Sequence, residues 1–324
     1  MNTPDIAIII NSFNRFQLLK ECLEVLSDWI LTSPLHDRIV CVIYEAGSTD
    51  GSREWLMKEA SNLNLSLEVL LPKAGEDTSF AAGINKGVDY AGEKFASLKY
   101  LLFYETDNQI LEAKPLMDAL AQLENRNRLG ACGFTVRKHD GTPTGVGQPF
   151  PSLINFALGK NIVDHFQLER IPYQWEKDKF STEFSEVDVV YTSPLLVRFD
   201  VWKDSGGLDE RLFPFSDCDV DWAYRLRNRG WKMGVVKTDA VIHDNQETLS
   251  NWSRSRAVQS HRGRLRYFKR HYPFQILLAW PFVLMLRHVF ELVATKMLIK
   301  EPLRREQLSG QFSSLLKSTI RGYE

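Results

Sequence analysis

The chain has 324 residues, 44% of them hydrophobic, which is enough to bury a large core and too apolar for a disordered polymer. Lys and Arg number 40 against 41 Asp and Glu, so no global field selects nucleic acid or an acidic partner. The four cysteines, Cys22, Cys41, Cys132 and Cys218, lack paired metal-ligand spacing, and Met1 to Asp5 carries no signal-peptide pattern; together these predict a reducing, cytoplasmic setting.

Ile6 to Ile10 reads as a buried strand, after which Leu18, Cys22, Val25, Leu26 and Trp29 share one helical face. Ile39 to Tyr44 repeats the strand signal, Ser52 to Ala60 the helix, and Leu67 to Leu71 a third strand. Ala81 to Ala91 reads as a helix around Gly83 and Gly87, and Tyr100 to Tyr104 as a fourth strand ending at Glu105-Thr106-Asp107. This alternation predicts an α/β fold with a Rossmann-like, mostly parallel central sheet flanked by helices. In such open sheets ligands sit beyond the carboxyl ends of the strands. Asn11 to Arg15, Glu45 to Asp50 and Glu105 to Asp107 are therefore expected to meet in one polar, partly acidic crevice.

Beyond Asn108 the pattern is mixed, with strand signals near Gly133 to Arg137, Val187 to Thr192, Leu195 to Arg198 and Met233 to Val236. Gly141 to Glu186 is too long for a simple connection and reads as a lid or acceptor-binding insertion. Asp217, Asp219 and Asp221 alternate just ahead of a helix expected from Trp222 to Arg229 and stopped by Gly230. Carboxylates this crowded repel unless a cation, a helix N-terminus or a protonatable substrate absorbs the charge. Capping by Ser216 or Asp217 accounts for one or two of them. A calcium loop is excluded, because the glycine and glutamate it requires are Trp222 and Asn228 here.

Two further segments carry polar chemistry at strand ends. Glu105 and Asp107 offer alternate carboxylates, and a hard divalent ion on a diphosphate needs only one or two such oxygens. Glu45-Ala46-Gly47-Ser48-Thr49-Asp50-Gly51-Ser52 combines small residues, which admit a ligand to the backbone, with acceptors for ribose hydroxyls or a base edge. The same segment also has the composition of a turn and helix cap. No Gly-x-Gly-x-x-Gly follows the first strand and no Walker phosphate loop is present, which disfavours an NAD-dependent oxidoreductase or a P-loop phosphotransferase.

Taken in order, these segments resemble glycosyltransferase family 2 on the GT-A fold, in particular rhamnosyltransferase-like bacterial members, over roughly residues 5 to 275. The resemblance rests on Ile8 to Arg15, Glu45 to Ser52, Phe80 to Gly87, Glu105-Thr106-Asp107, Gly206 to Phe213 with Asp219-Val220-Asp221-Trp222 and Arg225, and Val241-Ile242-His243. It implies a GT-A catalytic domain over 1–250, divided into a nucleotide-sugar half (1–107) and an acceptor half (108–250), with a helical extension over 251–324. The nucleotide-sugar contacts it implies are Ser12, Phe13, Asn14, Arg15, Glu45, Ser48, Asp50, Gly83, Asn85 and Thr106. Glu105, Asp107 and His243 would hold Mn²⁺ or Mg²⁺, Asp219 would be the catalytic base, and Asp217, Asp221 and Trp222 would meet the acceptor. The implied reaction is inverting transfer from a nucleoside-diphosphate sugar donor to a glycan or lipid-linked glycan acceptor in bacterial surface polysaccharide assembly.

The chain departs from the family pattern at several positions: Glu45 and Glu105 stand for aspartates, Cys218 for a glutamate, and Thr192-Ser193-Pro194 for a glycine-containing turn. These departures motivate the alternative of a catalytically silent nucleotide-sugar-binding subunit of a glycan assembly complex.

In the tail, Arg254, Arg256, Arg262, Arg264, Arg266, Lys269 and Arg270 interleave with Trp252, Tyr267, Phe268 and Tyr272, ahead of an apolar stretch from Phe274 to Leu286. Interrupted by Pro281, that stretch falls short of the roughly 18 apolar residues of a membrane span. It suits either peripheral contact with the inner face of an anionic membrane or burial against protein, including a second copy of the chain. Nucleic acid is not expected as a partner, since no basic recognition surface accompanies the tail.

Overall fold

In a computed structural model of the chain, residues 4–145, 147–168, 174–177, 182–190, 194–244 and 254–322 are described. They belong to two compact units. One comprises Met1–Pro149, Pro172–Pro214 and Asp219–Asn245, and the other Phe150–Ile171, Phe215–Cys218 and Gln246–Glu324.

The first unit opens with β1 (Ile6–Ser12), α1 (Phe16–Ile30), β2 (Ile39–Glu45), α2 (Ser52–Lys58), β3 (Leu67–Leu70), α3 (Phe80–Lys94) and β4 (Tyr100–Tyr104). It continues through β5 (Asn108–Ile110), α4 (Lys114–Asn125), β6 (Leu129–Phe134), β7 (Val136–Arg137) and β8 (Pro143–Gly145). After α5 (Leu153–Leu158) and α6 (Lys160–His165) come β9 (Glu176–Lys177), β10 (Glu183–Val187), β11 (Leu195–Arg198), α7 (Phe199–Ser205), α8 (Cys218–Asn228), β12 (Lys232–Val236) and β13 (Val241–His243). Nine strands form one sheet in the order β3-β2-β1-β4-β11-β6-β12-β10-β9, and β5-β13-β7-β8 form a second.

The continuous apolar runs explain the sheet. Every residue of β2 and all of β1 but Asn11 are buried, as expected of parallel strands covered on both faces by helices. β1 pairs in parallel with β2 and β4, while β11 runs antiparallel between β4 and β6. Helix α1 lays Leu19, Cys22, Leu23, Leu26 and Ile30 against this layer, a 3.6-residue stripe in one core cluster with Ile8, Ile10 and Leu102. Ser79 starts α3, its Oγ accepting from the Ala82 N–H.

The structure departs from the sequence reading in three places. The predicted strand from Val187 to Thr192 instead lies earlier as β10, where Phe184 and Ser185 pair with β12. Val189 makes only an isolated bridge to Gln148, and Thr192 and Ser193 lie outside the described residues. Helix α8 starts four residues before the expected Trp222, placing Asp219 and Asp221 inside its first turn. The stretch from Gly141 to Glu186 is not one insertion: β8, β9 and β10 join the sheets, whereas α5 and α6 fall in the second unit.

That second unit is helical, adding α9 (Arg254–His271), α10 (Ile276–Ala279), α11 (Phe282–Leu298) and α12 (Pro302–Ile320). Phe156 of α5 packs its ring 5.2 Å from Phe268 of α9, and its carbonyl accepts from Arg287 Nη1 of α11 at 2.6 Å. Trp252 lies outside the described residues. Among the described residues no helix is long and apolar enough to cross a membrane.

Gly87 sets how closely α3 approaches the sheet, because an added Cβ would sit 2.7 Å from Cγ2 of Ile9, a fully buried β-branched side chain. Gly87→Ala is therefore expected to destabilise by about 1–3 kcal/mol from overpacking, offset by at most about 1 kcal/mol of helix propensity. A lowered midpoint in urea titration of the purified protein would show it.

Candidate active site

Parallel register aligns the strand ends. Ser12 is the partner of Glu45 across β1 and β2, and Ile10 is the partner of Tyr104 across β1 and β4. The segments leaving these strands consequently emerge along one edge. The first two are joined by hydrogen bonds: the Ala46 N–H donates to the Ser12 carbonyl at 2.9 Å, and the Asn14 N–H to Ser48 Oγ at 2.9 Å. The Thr49 N–H donates to Asn14 Oδ1 at 2.8 Å, and the Phe16 N–H to Asp50 Oδ2 at 2.8 Å.

Two carboxylates organise this double loop from opposite sides of its surface. Glu45 is fully buried and accepts from the N–H groups of Ser48 (2.6 Å) and Gly47 (3.2 Å). The extra methylene relative to aspartate is accommodated by folding the side chain back onto its own turn. Asp50 is exposed and accepts from Ser52 Oγ and N–H as well as Phe16. Although burial pushes the Asp50 carboxyl up, the hydrogen bonds from Ser52 and Phe16 outweigh it and hold the group below the usual carboxylate range. Asn14 takes a left-handed φ of 50°, a conformation asparagine tolerates, and leaves neighbouring Phe13 55% exposed. Arg15 stands at the start of α1.

At the end of β4 the chain turns, the Asn108 N–H closing onto the Glu105 carbonyl at 3.0 Å and the Glu105 N–H onto Asn108 Oδ1 at 3.1 Å. Thr106 and Asp107 lie in this turn, both buried. β13 pairs antiparallel with β5 so that His243 is the partner of Asn108, and His243 Nε2 comes to 3.6 Å from Asp107 Oδ1. That Asp107 oxygen has no hydrogen-bond partner although its residue is only 8% exposed. Ser12 Oγ and Asn11 Oδ1 are buried and without partners at the end of β1. Buried polar atoms are satisfied in the great majority of cases, which singles out the Asp107 oxygen beside His243 at the strand ends as a place for a ligand.

Expectation and geometry diverge at six residues. Glu105 does not join Asp107 and His243: no group of three His, Cys, Asp or Glu side chains suited to a metal ion occurs among the described residues. Gly83 is buried, and a Cβ there would meet Asn11 and Tyr44, so it is a packing position rather than a ligand contact. Asn85 uses both ends of its amide on a turn, accepting from the Leu208 N–H (3.0 Å) and donating to the Leu208 carbonyl and Glu210 (2.9 Å each).

Asp221 and Trp222 point inward as well. Asp221 is fully buried and paired with Arg225 at 2.9 Å, whose guanidinium also donates to the carbonyls of Ser205 and Gly207. Trp222 is fully buried and donates Nε1–H to Ser205 Oγ at 2.7 Å. They hold the connection between α7 and α8. Asp217, at φ 60°, has both oxygens engaged by Arg264 at 3.0 Å. What remains of the acidic cluster is Asp219, 9% exposed in the first turn of α8. Ser205 was missed from sequence, while Asn11 and Arg225 stood in the motifs without an assigned role; Arg225 lies one helical turn after Asp221, a spacing that favours pairing. The four cysteines are free and buried, and burial pushes the Cys41 thiol up to about 12, which leaves it inert.

A family model described as Glycosyl transferase family 2 matches residues 7–202, more than half of the chain. The chain belongs to that family and is a glycosyltransferase of GT-A-like fold. No curated protein sequence matches the chain. Among solved structures it is similar to the mannosyltransferase PcManGT from Pyrobaculum calidifontis in complex with GDP-Man and Mn²⁺, with 13% identity and a TM-score of 0.58 over 99% of this chain and 88% of that one. It is also similar to S. aureus TarS 1-349, with 15% identity and a TM-score of 0.53 over 98% and 91%. GalNAc-T7 with UDP, GalNAc and Mn²⁺ gives 11% identity and a TM-score of 0.59 over 99% of this chain and 56% of that one.

Two outcomes follow from this geometry. Arg225→Met removes the guanidinium paired with the buried Asp221 carboxylate and its two bonds to the Ser205 and Gly207 carbonyls, with an expected cost of about 3–5 kcal/mol in urea unfolding, part of which the added change Asp221→Asn recovers. Asp50→Asn removes a carboxylate whose pKa is lower folded than unfolded, so the wild type's advantage is present above the unfolded value of about 3.9. That advantage should vanish as pH falls through the folded value, which a pH series of melting temperatures for the pair would read.

Proposed function

We propose that the chain transfers a sugar from a nucleoside-diphosphate donor to a hydroxyl of a glycan or lipid-linked glycan acceptor, with inversion at the anomeric carbon, in bacterial surface polysaccharide assembly. The observation carrying this reading is the orphaned Asp107 oxygen facing His243, on the edge where the loops after β1 and β2 are tied together. The donor nucleoside lies against Ser12, Phe13, Asn14, Arg15, Glu45, Ser48, Asp50 and Thr106. Phe13 offers an exposed ring for stacking on a base.

The donor set fits a hard divalent ion, Mn²⁺ or Mg²⁺: Asp107 supplies an unsatisfied oxygen and His243 a ring nitrogen, leaving remaining positions for phosphate and water. Such an ion supplies positive charge opposite the diphosphate leaving group. Mn²⁺ accompanies GDP-Man in PcManGT and UDP in GalNAc-T7, which supports the reading. Asp219 takes the proton of the acceptor hydroxyl as the new bond forms, a role open to a carboxylate within hydrogen-bond reach of that hydroxyl.

Purified protein with Mn²⁺ or Mg²⁺ and a panel of nucleotide sugars, assayed for nucleoside diphosphate release with and without acceptors, tests this directly. Asp219→Asn is expected to lower kcat by about 10²-fold or more while retaining donor binding; Asp107→Asn is expected to lose metal-dependent donor binding. NMR of the product's anomeric centre reads inversion. Equal turnover in Asp219→Asn would remove that residue as base, and donor binding without turnover across the acceptor panel would favour a silent nucleotide-sugar-binding subunit.

A further inference from the structure

Helix α11 turns polar groups inward. Its buried positions are Leu284, His288 and Thr295, and Arg287 and Glu291 pair with each other at 2.9 Å on the half-buried side. Its outward positions are Phe282 (74% exposed), Leu286 (71%), Phe290 (63%), Val293 (49%) and Met297 (78%). These recur at intervals of three and four residues, so they form one stripe along the helix, about 22 Å from first to last at 1.5 Å per residue. Leu277 and Leu278 of the preceding α10 are 68% and 78% exposed and extend the apolar surface. Solvent-facing apolar residues occurring singly need no explanation, but a continuous row of large ones marks an interaction surface.

Charge identifies the partner. Residues 254–322 carry 14 Lys and Arg against 3 Asp and Glu, although the whole chain carries 40 against 41. Exposed cations bound the stripe: Lys269 and Arg270 before it, Lys296 on its flank, and Lys300, Arg304 and Arg305 after it, where they outnumber the exposed Glu301 and Glu306. An apolar row bordered at both ends by cations matches a bilayer with anionic headgroups, the chains taking the row and the phosphates taking the cations. A second copy of the chain fits less well, because the excess charge at both ends of the stripe is positive and self-pairing opposes like charge. The helix does not span: with Arg287, His288 and Glu291 on its other side, it can lie only in the interface.

We infer that the outward face of α11, with the cations at its ends, docks the protein onto an anionic lipid surface. The test is co-sedimentation of the full chain with vesicles of phosphatidylcholine alone and of phosphatidylcholine mixed with phosphatidylglycerol. The wild type is expected to bind the mixed vesicles selectively and to be released by salt. Leu286→Asp with Phe290→Asp should abolish binding while leaving the circular dichroism melt and the nucleotide-sugar affinity unchanged. Lys300→Gln with Arg304→Gln, which touches no apolar contact, should weaken binding by about fivefold per charge removed. Failure to bind mixed vesicles, equal binding to neutral ones, or equal binding by the Leu286/Phe290 variant would overturn the inference. So would a wild-type dimer in light scattering that the same variant converts to monomer, which would assign the stripe to self-association.

Discussion

The parallel pairing of β1 with β2 and β4 is the constraint on which the site depends. Parallel strands need crossovers that return the chain to the same end of the sheet, so each strand exits where its neighbours exit. With Ser12 opposite Glu45 and Ile10 opposite Tyr104, three separate stretches of sequence are delivered to one edge. The hydrogen bonds between Asn14, Ser48 and Thr49 then convert proximity into a defined surface. A slip of one residue in β1 would move Ile9 to the opposite face and lose its close fit against Gly87 of α3.

The acidic motif after α7 works in a different way. Most of its polar groups look inward: Arg225 binds Asp221 and two carbonyls, Trp222 binds Ser205, and Asn85 clasps the turn at Leu208. A buried ion pair is weak evidence for stability, since desolvation offsets much of the attraction. Its geometric role is clearer. It fixes where α8 begins, and with it the position of the one carboxylate in that turn assigned to chemistry, Asp219.

Sequence reasoning located the strands of the parallel half because runs such as Ile6 to Ile10 admit few other interpretations once turn residues bound them. It also placed the loops of the site, since position relative to a strand end follows from topology. It did not separate ligand contacts from scaffold within a motif. Gly83, Asn85, Asp221 and Trp222 have residue types that would suit either role, and only the direction of each side chain decides. Glu105 stands at the start of a turn where extension was assumed. The grouping of α5 and α6 with the C-terminal helices was equally illegible, because it rests on contacts between segments more than a hundred residues apart, such as Arg287 with the Phe156 carbonyl.

The polar side of α11 has a consequence for rotation about the helix axis. An all-apolar helix on an apolar bed can settle in several azimuths of similar energy. Here His288 and Arg287 hold Glu291 within the helix itself, at 3.0 and 2.9 Å, and Arg287 Nη1 also donates to the Phe156 carbonyl of α5, a contact that exists at one azimuth only. Although burial pushes the Glu291 carboxyl up, His288 and Arg287 hold it below its usual range, so its charge persists inside the bundle. Turning the helix by a single residue position, about 100°, would break the Arg287 bond to the Phe156 carbonyl. That bond thus acts as a key that indexes the helix, and with it the direction in which the apolar stripe faces.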